Sequence, residues 1–287
     1  MKIKKIVKVL LSCALAGALF TGCGGDSAGG DKPGESKDIQ LGMITHLNAT
    51  ESKMRDILKM CEEDSGVKLT HHVPKFYDSL KLMQMGIESG SVDQISLYKS
   101  VADYIIATND KFEIVPNNAL EKLTDNFCFA MRKDDAELKA ELDKAVDAMK
   151  TDGTLDKLIK EYITNVDKGQ APPAIEIPMT EGAQTIKVGV TGDLPPLDYV
   201  SADGKPAGFN TAILSEIAKR NGKNIELVQI ESGARATALD SKIIDVVFWA
   251  IVPFGNDKIP VDLDKPEGIE LSVPYFKDNV AHLQLKK

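Results

Sequence analysis

Three titratable side chains sit where alternating strands and helices would present their loops. They are His46, after the apolar run Ile39–Ile44, and Asp193 and Asp198, after Ile186–Val190. A histidine and two carboxylates are residue types suited to general acid–base chemistry. Nothing in their spacing fixes that geometry, and a lone loop histidine is more often a solvated or capping residue. The same loop has a second potential. Ile186–Phe209 reads IKVGVTGDLPPLDYVSADGKPAGF: a strand pattern stops at Gly192-Asp193, two prolines stiffen the loop, Asp203-Gly204 turns the chain, and a helix starts at Asn210. A strand that ends in a stiff, open loop is where an α/β protein presents a ligand. Near the N-terminus, Thr45 to Glu51 joins a strand to a helix. Asn48 with Glu51 three residues on reads as a capping box, and a helix start in this place is a natural anion site.

Metal and cofactor chemistry find no motif. The four cysteines, Cys13, Cys23, Cys61 and Cys128, have no CxxC spacing. Cys61 and Cys128 allow one disulfide, but two buried thiols are the plainer expectation.

The elements that must position these residues alternate throughout. The first half reads as strands at 39–44, 68–73, 90–97 and 112–115, interleaved with helices at 48–64, 76–89 and 100–108. An apolar strand, Phe127–Met131, and two helices, Ala136–Thr151 and Thr154–Tyr162, follow. Val166–Gln184 holds three prolines and no helical period, and so reads as a linker. The second half continues with helix 211–220, strand 225–230, helix 234–241, a strand 244–252 that is apolar but for Asp245, a Pro/Asp-rich loop 253–268 and a last strand 280–285. Alternation in both halves predicts two α/β lobes.

The first residues, MKIKKIVK, are a positive segment, and the apolar run Val9–Phe20 is too short to span a bilayer but suits a signal peptide. The run ends Leu19-Phe20-Thr21-Gly22-Cys23, which resembles a bacterial lipobox with an unusual Phe20. That likeness implies a signal at 1–22, acylation of Cys23, a cell-membrane, lipid-anchored location on the extracytoplasmic face, and a Gly/Ser-rich tether at 23–38. Loss of four lysines with the signal takes the net charge from −8 to −12, which argues against a nucleic-acid partner.

VGVTGDLPPLDYVSADGKPAGFNTAILSEIAKRNGKNIELVQI, with SKIIDVVFWAIV and LSVPYFKDNVAHLQLKK after it, resembles the first lobe of family 3 extracellular solute-binding proteins, the amino-acid-type receptors of ABC importers. Ile39–Glu51, Phe76–Tyr104 and Asn126–Ile163 resemble the parts that follow in that family: the opening of its second lobe, a helix, G-x-V-D strand and helix, and the closing helices. The order is therefore odd. A tandem of two truncated receptors would leave unpaired sheet edges, whereas a circular permutation contains each element once. The resemblance thus implies a type II periplasmic-binding-protein-like α/β fold, circularly permuted. Lobe two would be 39–125 and lobe one 126–287, with 166–184 joining the ancestral termini and one covalent crossing near 126–133.

What the resemblance implies for function is a monomeric receptor that closes over a small polar solute, amino-acid-like or a small carboxylate, for an ABC permease. The ligand-facing candidates are Asp193, Leu197, Asp198, Arg235 and Trp249 in lobe one, and Thr45, Asn48, Thr50 and Tyr98 in lobe two. The family's arginine after the third strand is missing from WAIVPFGNDKIP, and Tyr98 stands where its ammonium-binding aspartate would be, so both halves of a zwitterion clamp are gone. Arg235 is the candidate substitute cation. Alternatives on the same fold are a dehydratase-type enzyme using His46, Asp193 and Asp198, and a ligand-sensing or adhesin lipoprotein.

Overall fold

The structure is a computed structural model that describes residues 38–66, 68–69, 71–116, 124–164, 170–254 and 263–287. The signal, Cys23 and nearly all of the tether lie outside the described residues. The chain begins with β1 (Ile39–Ile44), α1 (Glu51–Ser65), β2 (His72–Tyr77), α2 (Leu80–Glu88), β3 (Gln94–Tyr98), α3 (Lys99–Thr108) and β4 (Phe112–Ile114). It continues with β5 (Thr124–Arg132), α4 (Ala136–Thr151), α5 (Thr154–Ile159), β6 (Thr185–Val190), β7 (Asp193–Leu194), β8 (Asp198–Val200), β9 (Pro206–Ala207) and α6 (Phe209–Asn221). Last come β10 (Asn224–Gln229), α7 (Arg235–Asp240), β11 (Val246–Phe254), β12 (Ile269–Leu271) and β13 (Phe276–Leu285).

The main strands run in the order β10-β6-β11-β5-β13-β3-β1-β2. Strands β10, β6, β11 and β5 form one lobe's sheet, parallel except for β5, and β2, β1 and β3 form a parallel sheet in the other. Strand β13 joins them. Its first half, Phe276–Asn279, pairs with β5, and its second half pairs with β3 and β4. The expectation of 126–287 as one lobe with a single crossing near 126–133 does not hold at the C-terminal strand: residues 280–285 pair with β3 and β4, so among the described residues β13 itself passes from one sheet to the other. Strands β5 and β6 lie in one sheet, separated by β11.

Equivalent devices fix the two sheets. The Asp93 carboxylate accepts from Gln40 N–H (2.8 Å) at the start of β1, and Asp245 accepts from Lys187 N–H (2.9 Å) beside β6 while meeting Arg132 (3.0 Å). Both aspartates brace strand ends, consistent with a turn role. The α6 start depends on Gly208, whose φ is +94° and whose missing Cβ would sit 2.7 Å from the Pro196 carbonyl oxygen. The described part of the linker is docked on lobe one. Ala174 bridges Ala207, Ile175 N–H donates to the Pro206 carbonyl (2.9 Å), and Thr180 exchanges two hydrogen bonds with the Asn224 amide. Among the described residues Cys61 and Cys128 form no disulfide, and both are buried, with their thiols pushed up by burial to about 11 and about 12.

Candidate functional site

The side chains between the lobes are organised by Arg235 and Trp249. Strand β11 has a register shift between Val247 and Ala250, and Trp249 lies inside it. The Arg235 guanidinium lies 4.2 Å from the Trp249 ring centroid, and the residue is 1 % exposed. Its donors go to three carbonyls: Nε to Ser232 (3.2 Å), Nη1 to Trp249 (3.0 Å) and, across the cleft, Nη2 to Thr45 (2.7 Å). A buried cation over an indole face is worth roughly 2 kcal/mol or more. Burial pulls the guanidinium below its usual range, and the charges of Asp264, Tyr98 and Asp198 act against that pull.

Lobe two supplies the opposite wall. The Tyr98 ring centroid is 5.8 Å from Trp249 and 4.6 Å from Phe127, and the His46 ring meets Trp249 edge-on at 6.0 Å. The Thr45 hydroxyl donates to Asp78 Oδ1 (2.9 Å), and Ser232 N–H donates to the Asp78 carbonyl (3.0 Å). Trp249 Nε1 and Ser232 Oγ are buried without hydrogen-bond partners, as is Asp193 Oδ1 at the lobe boundary, so each is a polar atom a solute could satisfy.

Asp264, in the loop before β12, is the residue the sequence reading missed. Its carboxylate is fully buried and lies 3.0 Å from His46 Nδ1, and it accepts from Leu47 N–H (2.6 Å) and Ile251 N–H (2.9 Å). Burial raises its pKa, but the His46 ring, Arg235 and the Leu47 N–H outweigh burial and hold it below the usual carboxylate range.

The remaining expected residues divide. Asn48 sits at the lobe boundary, its N–H donating to the Leu263 carbonyl (2.9 Å). Asp193 accepts from Leu80 N–H (2.7 Å) across the cleft, its pKa raised by burial. Three others do structural work instead. Leu197 is core at 2 % exposure. Asp198 is buried and accepts from Thr191 N–H and hydroxyl and from Gly192 N–H, bracing the turn after β6. Thr50 is exposed and caps α1 by accepting from Lys53 N–H (3.1 Å), so the cap falls there and not on Asn48. The three residues considered for acid–base work, His46, Asp193 and Asp198, are each held by a different set of partners. A separate groove of about 860 Å³ lies within lobe one, between linker residues 174–177 and the β8–β9 hairpin.

The sequence profile of bacterial extracellular solute-binding proteins, family 3, matches residues 47–165 and 186–253. The "Probable histidine-binding protein" of Campylobacter jejuni is 31% identical over 102 residues, which is 36% of this chain and 36% of that protein. The L-cystine-binding protein TcyJ of Escherichia coli K12 is 29% identical over 102 residues, 36% of this chain and 35% of that protein. Each match thus spans about a third of the relative's length. Among solved structures, the zinc-bound ligand-binding component of an ABC-type import system from Staphylococcus aureus aligns with 87% of this chain and 66% of its own, at 9% identity and a TM-score of 0.42. The L-glutamate-bound GluR0 ligand-binding core of Nostoc punctiforme aligns over 87% and 85%, at 10% identity and a TM-score of 0.36.

Proposed function

The chain belongs to the bacterial extracellular solute-binding proteins, family 3, and on that premise we propose that it is a lipid-anchored receptor that binds a small polar solute between its lobes and delivers it to an ABC importer. The observation that carries this reading is the Arg235–Trp249 pair. A buried cation and the chain's one tryptophan lie at the lobe boundary, in contact with Thr45, His46 and Tyr98 of the other lobe. At that boundary β13 pairs with strands of both sheets, and among the described residues it and its neighbour β5 carry the link between them. Closure over a ligand then amounts to rotation about these strands, driven by contacts available only when the lobes meet.

The experiment is a thermal-shift screen of the chain from residue 24 onward against amino acids, amines, small carboxylates and short peptides, followed by calorimetry on hits. A solute at 100 times its Kd adds about 2.7 kcal/mol of stability. No shift with any class would overturn the reading. Acylation of Cys23 would appear as a lipid mass on the N-terminal peptide of membrane-fraction protein, and an unmodified Cys23 there would remove the anchor.

The same reading includes a circular permutation. It is supported by β5 and β6 sharing a sheet although the linker and the closing helices lie between them. A rewired chain in which 184–287 precedes 38–164 should fold to the same far-UV spectrum and a similar Tm. A chain that stays unfolded in that order would count against it.

A further inference from the structure

Lobe two turns three strand-to-helix junctions toward lobe one, and at each junction backbone N–H groups end on a lobe-one carboxylate. In the β1–α1 loop, Leu47 N–H donates to Asp264 Oδ1 (2.6 Å), with His46 Nδ1 3.0 Å from Oδ2. In the first turn of α2, Leu80 N–H donates to Asp193 Oδ2 (2.7 Å). In the first turn of α3, the Ser100 N–H (3.1 Å) and hydroxyl (2.6 Å) both donate to Asp278 Oδ2.

Helix starts and the loops that lead into them attract anions because their N–H groups lack intrahelical partners and carry the positive end of the dipole. One such contact is an ordinary cap. Here three are made, each reaching across the lobe boundary, and their carboxylates come from three separate elements: the loop before β12, β7 and β13. Together they occupy the N–H groups on which an anionic ligand in this cleft would dock. Among the described residues, the donors left over at the Arg235 cluster, Trp249 Nε1 and Ser232 Oγ, are neutral.

We propose that Asp264, Asp193 and Asp278 are specificity determinants: they are the chain's own occupants of three anion sites in lobe two, and they exclude a ligand carboxylate. The cleft therefore takes a solute without a free carboxylate, an amine or an uncharged polar molecule. This inference rests on the receptor reading above.

The test is chemical rescue. Asp264→Ala empties the Leu47, His46 and Ile251 donors, and sodium acetate or formate should restore them. The expected result is an acetate-dependent rise in Tm of several degrees in the variant, absent with sodium chloride at equal ionic strength and absent in the unsubstituted chain. If Asp264→Ala does not fold, Asp193→Ala, whose carboxylate is only partly buried, is read the same way, and recovery of Asp264→Ala on refolding into acetate is a second readout. Absence of an acetate-specific response in a folded variant overturns the proposal. So does stabilisation of the unsubstituted chain by an amino acid more strongly than by the matching amine. A screen in which no solute of any class stabilises the chain, while rescue persists, defeats the receptor reading and leaves the three internal occupants in place.

Discussion

Asp125 and Asp278 stand directly opposite one another on β5 and on β13, the strand that pairs in both sheets. Like charges in register on neighbouring strands repel. Burial foremost, with Asp264 and Asp278 adding to it and His46 opposing, pushes the Asp125 carboxyl up to about 6. Asp278 is raised as well, chiefly by burial, despite the Ser100 donors that favour its charged form. Asp125 and Asp278 thus resist ionisation, whereas Asp264 nearby is held below the usual carboxylate range.

The first prediction follows from that pair. A carboxyl raised above its unfolded value contributes stability that is fully present below about pH 4 and is lost as pH rises through about 6. Asp125→Asn should therefore stabilise the protein by roughly 1–3 kcal/mol at pH 7.5 and flatten the change between pH 4.5 and 7. Urea titrations at the two ends of that range check it. A variant that keeps the parent's slope would show that Asp125 is not its source.

A histidine pair in lobe two predicts the opposite slope. His282 is 3 % exposed with its pKa lowered to about 3, burial being the main cause and His72 the second. His72 is lowered too, chiefly by burial and then by His71, while the Leu69 carbonyl and Gln94 act the other way. The rings of His72 and His282 lie 5.7 Å apart. A histidine kept neutral by folding contributes stability present above its unfolded value near 6.5 and lost as pH falls toward 3. His282→Gln should remove about one proton's uptake on unfolding between pH 6 and 4, read as a shallower fall of the urea midpoint.

Much of this fold was legible in the sequence because its signals are local. The K-I-x-D and G-x-V-D strands, the Asp203-Gly204 turn and the helix after Gly208 each lie within a few residues of their cause. Strand β2 runs later than the expected 68–73, over His72–Tyr77, with Pro74 inside it; β2 lies at the sheet edge, where a missing N–H is tolerated. Strand β13 was cut at 280 because local pattern does not say which sheet a residue joins, and its two halves join different ones. Arg235 and Trp249, expected from their places at strand ends, lie against one another at the lobe boundary. Asp264 was not, because it lies in a loop without periodicity and its partner His46 is 218 residues away. Leu197 lies in the core and Asp198 braces a turn, and a loop position alone does not separate such places from a ligand contact.

Replacing Arg235 tests the centre of the cleft. Three carbonyls on three segments converge on one planar fork, which a lysine cannot satisfy together. Arg235→Lys should destabilise the chain by about 2–4 kcal/mol, because carbonyls lose partners and the stacking on Trp249 is lost. The expected signature is a lower urea midpoint accompanied by red-shifted tryptophan fluorescence. An unchanged emission maximum would mean that the Trp249 environment does not depend on the guanidinium.

The two described cysteines should be chemically silent. Cys61 and Cys128 are 4 % and 1 % exposed, and their thiols are pushed far above the range where thiolate forms at neutral pH. Peptide-resolved labelling with iodoacetamide at pH 8 should leave both unmodified in the native protein and modify both in 6 M guanidinium. Native labelling of Cys128 would place an opening of the β5 sheet within reach of the reagent.

Gly208 is the position where backbone conformation and space act together. Its φ of +94° disfavours any side chain, and a Cβ would lie 2.7 Å from the Pro196 oxygen and 2.8 Å from the Leu197 oxygen. Those carbonyls accept from Phe209 N–H (3.0 Å) and Asn210 N–H (2.8 Å), which tie the start of α6 to the loop carrying Asp193 and Asp198. The neighbours are backbone atoms, so relief requires the loop itself to move. Gly208→Ala should cost about 2–4 kcal/mol, above the roughly 1 kcal/mol expected of a glycine replaced where space is open. Gly222→Ala, at φ +62° with nothing within 4 Å of the added carbon, is the matched control. Equal losses in the two variants would mean that the α6–loop contact adds nothing beyond backbone strain, whereas a larger loss at Gly208 assigns the difference to the displaced loop.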